Sequence, residues 1–471
     1  MVKRTRSKAA KAEPSPPTYF LSLTLENYRS FGPKQTLDLS DGFGRPAPWT
    51  VILGDNGTGK TSLLRKLVDM VPRLGEDGQP KDDKGNSLSS VPPFISGGPD
   101  GLSEIKIGSQ SAAFRAVYGY AALLRDTGRG FRTATCDYER YGDMRGALGK
   151  ASFTNAPIDK MVLFAYGANR PIGSGSLSEY HADGTRSLTV ENSPLMPAEE
   201  WLLQQDLLVR HGNGDAQVAK QRLDTVIGLL KHLLPEDDIQ EITFKAIDLS
   251  SARQRIAVHV KTPYGEVQLR ALSLGYRTLM AWMIDLAVQM FARYPDSKQP
   301  LHEPAVVLSD EIDLHLHPKW QRQLFEGLSA KFPNVQFIVT AHSPLIVQAA
   351  GAEANIVVLQ RPDGASHVEI TRQPNQIRFW RLDQMLTSDL FGLPSARPPE
   401  FDKLYARKEA LLGKVKLTAK EQAELAKIEA RLRKEDHTES SAEARYLDIL
   451  RRAAEEVVPN AEVAPKRPRK S

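Results

Sequence analysis

The stretch "WTVILGDNGTGKTSLL", residues 49–64, decides the fold. An apolar run suited to a buried strand enters a loop carrying Gly54, Gly57 and Gly59. The loop ends on Lys60, Thr61 and Ser62, which open the helical run "TSLLRKLVDMV". Gly54-x4-Gly59-Lys60-Thr61 is the phosphate-binding P-loop pattern, in the strand–loop–helix setting that the pattern requires. The residue types follow from the chemistry. Glycines let backbone N–H groups curl round a polyphosphate with no side chain in the way. The helix N-terminus adds positive potential. Lys60 is expected to reach the β- and γ-phosphates of ATP, and the Thr61 hydroxyl to ligate Mg²⁺. Asn56, Gly57 and Ser62 complete the expected cradle.

A P-loop binds nucleotide; hydrolysis also needs a metal-side carboxylate and a group that orients water. "AVVLSDEIDLHLHP", residues 305–318, offers both after an apolar strand. Asp310 is the expected Mg²⁺ carboxylate and Glu311 the expected general base. "TAHSPLIV", residues 340–347, follows the next apolar strand and puts His342 at a strand's C-terminal end, where ligands gather in parallel sheets. His342 is expected to hydrogen-bond the γ-phosphate or the attacking water. "LSLGYRT", residues 272–278, precedes a long buried helix. Its Ser273 hydroxyl and the bare backbone of Gly275 suit a γ-phosphate at a helix N-terminus. His315 and His317 have no third ligand nearby and read as local packing, not as a metal site. Asp313 is the better candidate there, as a contact across a dimer.

The order of these segments sets the fold class. "PAVVLSD" and "NVQFIVTAH" are buried strands separated by the helix "PKWQRQLFEGLSAKF", and the P-loop adds a third strand–helix unit. That order gives an α/β fold with a mixed or parallel sheet flanked by helices. "TYFLSLTLENYRSF" and "KQTLDL" read as strands, and "EITFKAIDL" with "QRIAVHVKT" as a hairpin. Short strand-like runs fill 106–166. "AEEWLLQQDLLVR" and "QVAKQRLDTVIGLLKHLL" read as helices, and Trp201, Trp282 and Trp380 as core or interface packing. The Gly-, Pro- and Asp-rich residues 75–105 read as a long surface loop. "LTAKEQAELAKIEARLRKE" and "SSAEARYLDILRRAAEEV" have helical spacing and suggest a small helical hairpin.

Composition narrows the setting. The chain has 471 residues and a net charge of +5. Two Lys- and Pro-rich tails, 1–17 and 459–471, read as disordered and together carry a net positive charge greater than the chain's +5, so the body between them is slightly acidic. An acidic body argues against a protein that clamps nucleic acid by bulk charge. No apolar run is long enough to span a membrane, and the basic N-terminus lacks the apolar core of a secretory signal. The one cysteine, Cys136, fits a reducing cytoplasm.

Taken in order, "GDNGTGKTS", "LSLGYRT", "LSDEIDLHLHP" and "TAHSP" resemble the ABC-type ATPase heads of the SMC, RecF and OLD families, over residues 18–360. "LENYRSF" is similar to the N-terminal strand of those heads, which implies that Arg29 lies near the nucleotide. "FAYGANRPIG" stands where the Q-loop is expected but has no glutamine at its turn, leaving Asn169 and Arg170 as candidates for that role. The segment from "ENSPL" through "AEEWLLQQDLLV" is most similar to the PtuA family, the ATPases of Septu-type anti-phage systems. The resemblance implies a P-loop NTPase head over 18–365 with a helical subdomain at about 190–245, and a helical C-terminal region over 366–458. It also implies an Mg-dependent ATPase that dimerises, or forms a higher even oligomer, head-to-tail around ATP. Such a head gates a separate nuclease subunit or DNA engagement. A RecF-like ATPase acting directly on DNA in repair is the other reading. No coiled-coil arm separates the Q-loop region from the signature, and no Asp-x-Asp nuclease pair follows His342.

Overall fold

The computed structural model describes residues 17–71, 112–120, 132–140, 149–154, 161–180, 183–212, 214–234, 239–247, 255–351, 354–373, 375–393, 395–396, 398–414 and 417–435. The expected loop 75–105, both expected tails up to residue 16 and from 459, and the expected helix at 440–457 lie outside the described residues. The chain divides into two compact units, Met1–Gly392 and Leu393–Ser471.

The first unit opens on β1 (Thr18–Glu26), β2 (Gln35–Asp38) and β3 (Trp49–Gly54), then α1 (Lys60–Met70). Four strands follow: β4 (Ala112–Tyr120), β5 (Arg132–Arg140), β6 (Gly149–Thr154) and β7 (Leu163–Tyr166). Helices α2 (Arg186–Thr189), α3 (Ala198–His211) and α4 (Ala216–Leu233) lead to β8 (Glu241–Ile247), β9 (Arg255–Thr262) and β10 (Gly265–Gln268). Next come α5 (Leu274–Arg293), β11 (Ala305–Ser309), α6 (Pro318–Lys331) and β12 (Val335–Thr340). The unit closes with α7 (Pro344–Ala349), β13 (Ala354–Gln360), β14 (Glu369–Arg372) and α8 (Leu382–Leu386).

The central sheet has six strands in the order β14-β13-β3-β12-β11-β7. Every neighbour pair in it is parallel except β13 with β14. Strands β11 and β12 are buried along their whole length, as expected of parallel strands covered on both faces. The two-residue period of the strand sends alternate side chains to different cores. Val51, Leu53, Val307, Phe337 and Val339 join α4, α5 and α6 on one face. Ile52, Val306, Leu308 and Ile338 join Leu63, Leu64 and Leu67 of α1, and β1, on the other.

A second, antiparallel sheet runs β2-β1-β4-β5-β6. The buried Gln336 of β12 ties it to the first: its amide accepts from Phe20 N and donates to Phe20 O, each at 2.9 Å. The expected hairpin is present as β8 and β9, and β10 extends it to three strands. Trp201 and Trp282 are core residues, whereas Trp380 remains 38% exposed.

The second unit holds α9 (Pro399–Leu412) and α10 (Ala419–Glu435). Phe401, Leu411, Ile428 and Leu432 form its core, and Arg407 makes a bidentate pair with Glu424 at 2.8 and 2.9 Å. The helix expected from "LTAKEQAELAKIEARLRKE" is α10, and it packs against the preceding α9. Among the described residues no helix is long and apolar enough to cross a membrane.

Candidate functional site

Three neighbouring parallel strands, β3, β12 and β11, end on the same edge of the central sheet. Their C-terminal ends carry the 54–62 loop, the 340–343 segment and the 310–317 segment. Segments far apart in sequence meet there because β12 inserts between the other two strands.

The loop's shape depends on glycine. Gly54, Gly57 and Gly59 have φ of 148°, 82° and 101°. A Cβ on Gly59 would lie 2.6 Å from Ser30 Oγ, and one on Gly54 2.6 Å from the Leu359 carbonyl oxygen. Asn56 and Gly57 are exposed at the tip. Lys60 Nζ donates to the carbonyls of Gly54 (2.6 Å) and Asp55 (2.9 Å), so the loop closes round its own ammonium. Burial holds the Lys60 pKa below the ordinary lysine value, and the carboxylates of Asp310, Glu311, Asp55 and Asp313 oppose that shift. Arg29, itself at φ 52°, donates from Nη1 to Ser62 Oγ at 2.8 Å.

Asp310 is 3% exposed, and both its oxygens accept from hydroxyls. Thr61 Oγ1 donates to Oδ2 and Thr340 Oγ1 to Oδ1, each at 2.6 Å. Thr340 Oγ1 also accepts from Glu311 N at 2.7 Å. One hydroxyl at the end of β12 thus fixes both acidic residues at the end of β11. Glu311 has φ 47°, in the left-handed region that a non-glycine residue enters only when its surroundings hold it there. Its carboxylate is about one-third exposed and lies 4.0 Å from His342 Nε2. Asp313 Oδ2 accepts from His342 N at 3.1 Å. Ser343 Oγ donates to Gln321 Oε1 at 2.6 Å, and Gln321 Nε2 donates to the Leu316 carbonyl at 3.0 Å, which secures the segment after Glu311.

Of the expected residues, Arg29, Lys60, Thr61, Ser62, Asp310, Glu311, Asp313 and His342 gather round this edge. Among the described residues no hydrogen bond joins Ser273 to residues 54–62. Ser273 is the exposed N-cap of α5, and its side chain does not cap the helix. Gly275 is buried against the 313–317 segment: a Cβ there would lie 2.4 Å from the His315 carbonyl oxygen. Its bareness serves close packing within the chain, whereas the sequence suggested only an approach to phosphate. Tyr276 packs edge-on against Trp320, with ring centroids 4.3 Å apart. His317 caps α6, its Nδ1 accepting from Lys319 N at 3.3 Å, and among the described residues no cluster of three ligating side chains could hold a metal.

The two Q-loop candidates differ in their contacts. Asn169 is exposed and donates to Asn192 Oδ1. Arg170 is 7% exposed and donates to Ser309 Oγ (3.3 Å) and to the carbonyls of Asp310 (3.2 Å) and Glu311 (2.7 Å). Burial brings its pKa down to about 10, opposed by the carboxylates of Asp310, Glu311 and Asp313, so it stays charged at neutral pH. Behind it, Asp285 of α5 accepts from Tyr180 (2.7 Å), Tyr166 (2.9 Å) and Met196 N (3.0 Å). Burial raises the Asp285 pKa, and these three donors oppose the rise.

Two hard oxygens, Thr61 Oγ1 and Asp310 Oδ2, meet at 2.6 Å beside a phosphate-type loop. That donor set fits Mg²⁺, which takes one or two protein oxygens and completes its shell with phosphates and water.

Residues 49–348 match the family described as "AAA domain, putative AbiEii toxin, Type IV TA system". The Septu protein PtuA of Bacillus mycoides (strain KBAB4) is 24% identical over 391 residues, covering 82% of this chain and 47% of that protein. A Retron Vc95 probable ATPase of Vibrio cholerae serotype O1 biovar El Tor is 43% identical over 88 residues, 19% of this chain and 17% of that protein. The chain thus spans about half the length of that PtuA and less of the retron protein. Among solved structures, an SMC head bound to the C-winged helix domain of ScpA aligns with 75% of this chain and 97% of its own, at 16% identity and a TM-score of 0.41.

Proposed function

The chain belongs to this AAA-domain family, and from that premise we propose that it is an Mg-dependent ATPase whose heads pair head-to-tail around ATP. The observation that carries the reading is the hydrogen-bonded run Thr61–Asp310–Thr340–Glu311, which joins the P-loop to two acidic residues across three strand ends. In this reading the 54–62 backbone and Lys60 hold the phosphates, and Arg29 approaches the nucleotide beside Ser62. Thr61 and Asp310 would hold Mg²⁺, which when bound neutralises charge on the phosphate oxygens. Glu311 takes the proton of the attacking water as its oxygen bonds to the γ-phosphorus and the bond from that phosphorus to the β–γ bridging oxygen breaks, releasing ADP, and His342 orients that water or the γ-phosphate. The exposed Ser273, whose side chain makes no capping hydrogen bond, supports a role in trans: with the Gly275 turn it completes the partner's site, and Asp313 contacts the partner across the dimer.

The cellular role rests on the relatives. PtuA carries the Septu name and the retron protein the name of a probable ATPase. By analogy the ATPase cycle of this chain serves anti-phage defence in the cytoplasm, where the head gates a separate nuclease subunit, or its engagement of DNA, through the C-terminal helices α9 and α10. ATP favours the closed dimer and hydrolysis releases it.

Mixing two inactive variants tests the pairing. Lys60→Ala removes the phosphate cation and Ser273→Arg blocks the signature. In a mixed dimer one composite site carries both defects and the other carries neither, so turnover returns in part. Robust turnover by a strictly monomeric preparation would overturn the sandwich.

A further inference from the structure

We infer that Arg170 is a positioning residue, the brace that holds Glu311 in its left-handed turn. The inference rests on the ATPase reading and concerns how that site is kept in shape. Glu311 is held from both sides. Its N–H donates to Thr340 Oγ1 at 2.7 Å, and its carbonyl accepts from Arg170 Nη2 at 2.7 Å. The same Nη2 reaches the Asp310 carbonyl at 3.2 Å, and Nη1 reaches Ser309 Oγ at 3.3 Å. A single planar guanidinium therefore spans the last residue of β11 and the two acidic residues that follow it. Only arginine has this fork of fixed donors.

Glu311 needs such a brace. A φ of 47° is unfavourable for a residue with a Cβ, and it returns to an extended or helical conformation unless the surroundings over-determine it. The Glu311 side chain is about one-third exposed and makes no hydrogen bond among the described residues, so its direction is set by its backbone. The brace itself is anchored. The Arg170 guanidinium carbon lies 5.1 Å from the Trp282 ring centroid, on the helix that begins after Ser273. The catalytic turn is thereby fixed against α5, and Arg170, 7% exposed, with its Nη2 on two backbone carbonyls and its Nη1 on the Ser309 hydroxyl, acts on Glu311 and not on the nucleotide.

Arg170→Met keeps the apolar stem and removes every donor, while Arg170→Lys keeps the charge and a single ammonium donor on a stem one atom shorter. The experiment measures steady-state ATP turnover, affinity for a non-hydrolysable ATP analogue and thermal unfolding for the wild type and both variants. Misplacing a reacting group by about 1 Å costs on the order of 100-fold in rate. R170M is therefore expected to lose about 100-fold in kcat with KM and analogue affinity within about twofold of wild type, and R170K to recover roughly a tenth to a half of the wild-type kcat. Should R170M fail to fold, the comparison of R170K with wild type decides, and a kcat loss at unchanged KM supports the brace. Turnover by R170M within about threefold of wild type, or a rise in KM that matches the whole loss, overturns it. A wild-type chain that shows no turnover removes the ATPase reading itself, and the brace with it.

Discussion

Lys60 shows how one residue can be both buried and charged. Its ammonium is desolvated, which favours the neutral amine, yet four carboxylates lie close enough to oppose that shift. The net shift is downward from 10.5. The sign for binding follows. Below the lowered value the ammonium is present and attracts phosphate; as pH rises through it the charge is lost. ATP affinity is therefore expected to be full near neutrality and to fall by up to about tenfold per pH unit before the pH at which an exposed lysine would lose its proton. A direct binding titration across this range checks it, and affinity that stays flat up to pH 10.5 contradicts it. Residues such as Lys60, Thr61 and Asp310 were legible in the sequence because the chemistry demands those types beside glycines and strand ends. Thr340 and Arg170 were not legible as parts of the Glu311 scaffold. Thr340 is an ordinary strand threonine until β12 is seen to lie between β3 and β11, and Arg170 meets Glu311 only because β7 pairs with β11.

At the scale of elements, the N-terminus of α5 and the segment after β11 behave as one packed piece. Gly275 lets the helix approach the His315 carbonyl, and the Tyr276–Trp320 contact ties α5 to α6. Gly275→Ala places a Cβ 2.4 Å from that oxygen, a distance no side chain tolerates, so the backbone must move. Overpacking of this kind costs about 1–3 kcal/mol. Differential scanning calorimetry should show a lowered Tm, with ATP still bound by the chain's own P-loop and turnover reduced; an unchanged Tm would mean that the packing is looser than described. Element-level reading from sequence succeeded where the pattern was strong: β3, α1, β11, α6 and β12 are all buried strands or amphipathic helices with clear ends. It missed the long pairing of β1 with β4, because antiparallel partners far apart in sequence leave no local mark. It also missed α9, whose apolar face becomes evident only when Phe401 and Leu411 meet Ile428 and Leu432.

For the whole molecule, the proposed function needs the P-loop and the two acidic residues of one head, ATP, and the Ser273 signature of a second head. The proposed sandwich rests on the order of four motifs in the sequence, since a single chain cannot display contacts made in trans. Its central claim is that Glu311 is the base of an ATP-hydrolysing dimer. The most direct test is Glu311→Gln, which keeps the shape of the side chain and removes its basicity. Incubated with Mg²⁺ and labelled ATP, then separated by size, the variant should elute as a dimer carrying intact ATP and release at least about 100-fold less phosphate than wild type. Phosphate release near the wild-type rate, or a monomer that holds no nucleotide, would contradict the account.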